Sequence, residues 1–146
     1  MKQINFALIN IESKSTIAEQ IIAKKHNLVF NGKIRNDKTA IGYNIHNLLR
    51  DDRVNVIITI GGADFKEDSL TIELVKDSLE KEINFDALLK QLYYEKYKAE
   101  ALSVRSLAGT AKGKMIFCLP DDEKAIRIAL EKLILAGIDS IFSQLS

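Results

Sequence analysis

Three short stretches of this chain are apolar almost without interruption: INFALINI at residues 4–11, VNVIITI at residues 54–60 and KMIFCL at Lys114–Leu119. A strand with one face in water alternates apolar and polar side chains. A run that is apolar on both sides of the pleat must be covered on both faces. Three such runs, rich in β-branched residues and separated by segments of helical periodicity, leave few architectures open. They predict an α/β fold, a three-layer sandwich with a mostly parallel central sheet. The stretch LVFNGKI at residues 28–34 is more polar and reads as a fourth strand nearer an edge.

The intervening segments carry the 3.6-residue period. Residues 17–25 place Ile17, Ile21 and Ile22 on one face, and Thr16 with Glu19 has the spacing of a capping box. Further helices are expected over residues 38–50, 71–82, 84–97 and 122–136, the last with Gly137 as a C-cap. With 146 residues and a single proline, the chain offers no linker-like tract, and residues 1–146 read as one domain.

Lys plus Arg number 21 and Asp plus Glu 20, so the net charge of +1 leaves no basic surplus for nucleic acid. Cys118 is the one cysteine, which excludes an internal disulfide and a multi-cysteine zinc site. The N-terminal apolar stretch is short and broken by Asn5 and Asn10, predicting neither a signal peptide nor a membrane span. A cytoplasmic protein is the expectation.

In an open parallel sheet, ligands bind beyond the carboxyl ends of the strands. That directs attention to residues 10–15, 61–70 and 120–123. Gly61-Gly62 directly follows the second apolar run, where paired glycines allow a sharp turn and can turn backbone N–H groups toward a phosphate. A tight strand-to-helix turn explains them equally well. Acidic residues crowd the same loops: Glu12, then Asp64, Glu67 and Asp68, then Asp121, Asp122 and Glu123. They could hold Mg²⁺ or another hard cation. The plainer reading is that Asp121, Asp122 and Glu123 open a helix, where acids cap free N–H groups and favour the macrodipole. His26 reads as a surface cap at a helix end and Cys118 as an inert core residue. Tyr93, Tyr94 and Tyr97 could stack on a ligand ring, but their helical spacing reads rather as packing or a subunit contact.

Taken in order, these pieces resemble the MoaB/Mog family of molybdenum-cofactor proteins, the molybdopterin adenylyltransferases. The likeness is clearest over residues 53–135. Family members follow the central strand with a loop close to GGTGxxPRDVTPE; here the stretch is GGADFKEDSLTIE, beginning at Gly61. They carry a serine-arginine element, then Ala-Gly, then a strand ending in LPG(S/N)PKA. Here these read Val104-Arg105, Ala108-Gly109, and Leu119-Pro120-Asp121-Asp122-Glu123-Lys124-Ala125. The resemblance implies a protein that binds molybdopterin, or another phosphorylated small molecule, at the strand ends as a homotrimer or hexamer. It also implies an enzyme that uses Mg²⁺ and ATP to adenylylate molybdopterin. Carried over by position, the ligand-binding residues would be Gly61, Gly62, Ala63, Asp64, Arg105, Pro120, Asp121, Asp122 and Lys124. Asp37, Asp68 and Ser69 are the catalytic candidates, and Asp64, Asp68 and Asp121 the metal candidates.

The departures from the family fall on the chemistry. Asp64 stands where the loop has its third glycine, Glu67-Asp68-Ser69 replaces Pro-Arg-Asp, Asn36 takes the position of an aspartate, and Asp121-Asp122-Glu123 replaces Gly-Ser-Pro. At about 4 Å and an effective dielectric near 20, one like-charge contact with a phosphate costs about 4 kcal/mol before solvent screening. A diverged molybdopterin-binding protein with weakened or lost adenylyl transfer is therefore expected. The alternatives are an active adenylyltransferase and a different enzyme that uses the acidic rim to bind a metal.

Overall fold

In the computed structural model the structure describes residues 3–62, 70–138 and 140. Strands β1 (Asn5–Ile11), β2 (Asn27–Ile34), β3 (Val56–Ile60), β4 (Lys81–Ile83), β5 (Leu107–Ala111) and β6 (Lys114–Leu119) form one sheet in the order β2-β1-β3-β6-β5-β4. Pairings β1·β2, β1·β3 and β3·β6 are parallel; β5·β6 and β4·β5 are antiparallel. The three apolar runs thus occupy β1, β3 and β6 in the interior of the sheet, and the more polar β2 is an edge.

The reason those runs are continuous is visible in where their side chains go. Phe6, Leu8, Val56, Ile58, Ile60, Met115, Phe117 and Leu119 pack on one face with α1 (Ile17–Ala23), α4 (Asp86–Tyr97) and α5 (Glu123–Ile128). The alternate residues Ala7, Ile9, Ile11, Ile57, Ile116 and Cys118 pack on the other with α2 (Lys38–Leu49) and α3 (Leu70–Ser78). Consecutive side chains leave opposite sides of a strand, so two helical layers require an apolar residue at every position.

Several local expectations are corrected. Thr16 makes no side-chain cap; Ser15 Oγ accepts from the Ile17 N–H instead, and Glu19 accepts from Asn31 Nδ2 at 2.8 Å. The helix expected over residues 71–82 ends at Ser78, and Lys81–Ile83 is strand β4. Beyond Ile128 the last helix becomes π-helical over Ala129–Ile134. His26 is buried rather than a surface cap: its Nδ1 accepts from the Ile4 N–H at 3.1 Å and its ring lies against Phe6. Cys118 is buried in the core, which pushes its thiol up to about 12.

Strand β5 and its hairpin to β6 lay outside the sequence expectation. The turn is Lys112-Gly113, with φ of 52° and 76°, and Ala111 faces Lys114 across it. Two consecutive positive φ values suit the right-handed twist of a two-residue hairpin, but a lysine pays a steric cost there that asparagine largely avoids. Lys112→Asn is expected to stabilise the protein by about 0.5–1 kcal/mol, read as a higher urea midpoint at unchanged slope.

Candidate functional site

The direction of winding reverses at β1: β2 is added on one side of it and β3 on the other, with α1 and α2 on opposite faces. Such a switch point leaves a crevice beyond the strand ends. The segments that reach this end of the sheet are Glu12–Ser15 after β1, Asn36-Asp37 after β2, Gly61-Gly62 after β3 and Pro120–Asp122 after β6. Because β5 runs antiparallel to β6, Val104–Ser106 comes to the same end.

Gly61 and Gly62 have φ of 97° and 67°. A Cβ on Gly61 would strike the carbonyl oxygen of Ile11, and one on Gly62 would strike Thr71 Oγ1 at the start of α3. The Gly61 N–H donates to Leu119 O at 3.0 Å, so it belongs to the sheet and not to a phosphate. Gly62 O accepts from the Thr71 N–H. The paired glycines are required by how closely β1 and α3 approach the turn, a requirement that holds whether or not a ligand binds.

The acids are likewise used locally. Asp37 caps α2, its Oδ2 accepting from the Ala40 N–H at 3.0 Å. Glu12, at φ 55°, accepts from the Asn36 N–H and ties the ends of β1 and β2. Asp121 Oδ1 accepts from Ser13 Oγ at 2.8 Å. β1 and β6 flank β3, so this bond bridges the two strands on either side of Gly61. Asp122 caps α5 through Oδ1, which accepts from the Lys124 N–H, while its Oδ2 accepts from the Tyr93 hydroxyl at 2.8 Å. Burial, and then the Asp122 carboxylate, push the Tyr93 phenol up to about 12. Of the acids read as a possible cation site, Asp121 and Asp122 serve hydrogen bonds within the fold, and among the described residues no three His, Cys, Asp or Glu side chains are placed to hold a metal ion. Ala63, Asp64, Asp68 and Ser69 lie outside the described residues.

Where α4, β5 and α5 meet at this end there is an open cleft of about 290 Å³. Pro120, Asp121, Asp122 and Lys124 form one wall. Tyr93, Glu100, Ser103 and Val104 form the other. Lys124 Nζ is 2.9 Å from Glu100 Oε1 and 4.7 Å from the centre of the Tyr97 ring. The Glu100 hydrogen bond raises the pKa of this lysine. The structure therefore brings Pro120, Asp121, Asp122 and Lys124 into one cleft. Arg105 is half-buried just before β5 and outside the cleft wall, and Gly61 and Gly62 lie at the neighbouring end of β3. Ser13, Glu100 and Ser103 are not singled out by the sequence as site residues, and Tyr93 reads there chiefly as packing, although its ring could stack on a ligand. Ser13 sits in a loop that the strand-end argument did mark; Glu100 carries no motif that could have marked it.

Comparison with known proteins gives a consistent answer. Residues 9–139 match the family described as a probable molybdopterin binding domain. The chain is 37% identical over 115 residues to molybdenum cofactor biosynthesis protein B of Staphylococcus aureus strain Mu50, covering 77% of this chain and 68% of that one. The fold is similar to a crystal structure of molybdenum cofactor biosynthesis protein B, with a TM-score of 0.90, 24% identity and coverage of 99% and 96%. It is similar also to the tungsten cofactor synthesizing protein MoaB from Pyrococcus furiosus, with a TM-score of 0.89, 21% identity and coverage of 99% and 98%.

Proposed function

Since this chain belongs to the probable molybdopterin binding domain family, we propose that it binds molybdopterin at the strand-end cleft in molybdenum cofactor biosynthesis, with weakened or lost adenylyl transfer. The donor set divides the ligand into two parts. A pterin ring presents an N–H-rich edge, and the cleft offers carboxylates at Glu100, Asp121 and Asp122 that accept such donors. At about 290 Å³ the cleft is at the low end for a ligand pocket, a size suited to a ring rather than to a whole cofactor with a nucleotide beside it. Phosphate fits less well: among the residues lining the cleft the one cation, Lys124, is already paired with Glu100.

The charge of this cleft is the observation that carries the weakened activity. Adenylyl transfer builds negative charge on phosphate oxygens, and its catalysis rests on cations and N–H groups aimed at them. Mg²⁺ would supply such charge when bound with ATP. The described part of this chain instead lines the cleft with Asp121 and Asp122, and its Gly61 N–H donates to Leu119. Mixed with molybdopterin, ATP and Mg²⁺, the protein is expected to bind molybdopterin yet release pyrophosphate at least about tenfold more slowly than an active family member, a loss of about 1.4 kcal/mol in transition-state stabilisation. Equal rates would overturn the weakened-activity reading; absence of molybdopterin binding would overturn the binding role.

Membership of an oligomer belongs to the same proposal. Tyr94, at 56% exposed, and Leu102, at 81%, are large apolar side chains on the surface around α4. Tyr93 and Tyr97 pack inward against the core instead.

A further inference from the structure

Lys124 is not an unengaged cation at the edge of a cleft. Its ammonium is held on one side by Glu100 Oε1 at 2.9 Å and lies over the Tyr97 ring at 4.7 Å, with the Tyr93 ring at 5.9 Å. Glu100 reaches it from a short 3₁₀ segment, Lys98–Ser103, that follows α4. The chain enters that segment through Lys98 at φ 58° and ψ −129°, a conformation that L-residues rarely adopt. Backbone strain of this kind persists where surrounding structure demands it, and an observed outlier is a reason to look for a role. Here it marks the point where the chain turns from α4 into the segment that carries Glu100.

We propose that Glu100 is a specificity-determining residue that competes in cis for Lys124, so that an anionic group enters this cleft only by displacing the Glu100 carboxylate. The inference deepens the binding role above; it rests on that role for the natural ligand but not for the contact itself. Two features make the competition physical. The Glu100 side chain is 61% exposed and that of Lys124 is 39% exposed. An exposed ion pair of this kind is weak because water screens it, so a multiply charged anion can displace it. Yet with Asp121 and Asp122 on the opposite wall, the cleft at rest is net negative. Weak anions are turned away, while uncharged groups rich in N–H donors are not. Entry of an anion thus turns on one displaceable carboxylate, Glu100, against the fixed charges of Asp121 and Asp122.

The test uses inorganic pyrophosphate, titrated into the protein and followed by the amide resonances of Lys124 and Ser103. Four proteins are compared: wild type, Glu100→Gln, Lys124→Met and the double variant. Glu100→Gln is expected to bind pyrophosphate about three- to tenfold more tightly, combining the loss of a competing ion pair with the loss of one repelling charge. Lys124→Met should bind more weakly than wild type, and Glu100→Gln should bring little gain in the Lys124→Met background. A merely structural role for Glu100 would leave affinity unchanged. Equal or weaker binding by Glu100→Gln, an undiminished gain without Lys124, or no binding by any of the four proteins overturns the proposal. Molybdopterin titrated in parallel separates the two readings. Its failure to bind while the pyrophosphate series behaves as expected would remove the proposed function and leave the competition intact.

Discussion

Gly61→Ala is expected to destabilise the protein by about 3 kcal/mol, although it adds a single methyl group at a turn. Two costs combine. At φ 97° an L-residue is outside its favoured regions, which costs about 1–2 kcal/mol. The new Cβ would also press on the carbonyl oxygen of Ile11. That oxygen belongs to β1, a strand hydrogen-bonded on both sides and covered by helices on both faces, so it cannot step aside as a surface side chain would. Forcing a buried strand to shift adds about 1–3 kcal/mol. Gly113→Ala is the internal control. Gly113 has φ 76°, but a Cβ there meets nothing within 4 Å, so only the conformational part, about 1 kcal/mol, should appear. Urea denaturation of the two variants separates them by midpoint at common slope. Equal losses would show that the approach of β1 to this turn is not the constraint. A stable Gly61→Ala protein that has lost ligand binding would show that the glycine is kept for a ligand instead.

The same turn shows how far sequence reasoning reaches. The runs that became β1, β3 and β6 were legible because burial on both faces leaves a mark at every position. Their order put the end of β3, and hence Gly61, at the strand-end rim that carries the candidate site. Strand β5 was missed for the complementary reason. LAGTA is built from small residues, and Gly109 stands where Leu79 and the carbonyl oxygen of Lys81 crowd in, so the segment is held by its neighbours rather than by bulk of its own. β4, three residues with two exposed, carries almost no pattern. At the site, sequence marked the acids of the β6 loop; Asp122 follows the helix-start reading as a cap, whereas Asp121 instead accepts from Ser13, a partner that the reading did not provide. The partners that complete the cleft come from elsewhere in the chain. Tyr93 is 29 residues from Asp122 and Glu100 is 24 from Lys124. Only the packing of α4 against α5 brings them together, and no local spacing encodes that.

Asp122→Ala tests how much of this corner is held by one carboxylate, and is expected to cost about 2–3 kcal/mol. Loss of the N-cap on α5 accounts for about 1 kcal/mol. The Tyr93 hydroxyl, on a side chain only 2% exposed, would be left without its acceptor, at about 1–2 kcal/mol more. Asp122→Asn keeps one acceptor oxygen, enough to cap α5 through the Lys124 N–H, while its amide NH₂ would face the Tyr93 hydroxyl, which must then turn to accept; it should lose less than Asp122→Ala but more than nothing. The pH dependence supplies an independent check. The Tyr93 phenol is raised to about 12 by burial and by Asp122, from an ordinary value of 10.0. The folded state therefore holds this proton more tightly than the unfolded chain. Its contribution is fully present below pH 10 and is lost as pH rises toward 12. The buried Cys118 thiol loses stability in the same direction, beginning nearer pH 9. The informative quantity is thus the difference between wild type and Tyr93→Phe, which removes the phenol and leaves the thiol. Near neutral pH the wild type should be the more stable of the two, and their stabilities should converge between pH 10 and 12. A constant gap across that range would mean that Tyr93 ionises no less readily in the folded protein than in the unfolded chain, and that the hydroxyl–carboxylate contact does not hold α4 to the start of α5.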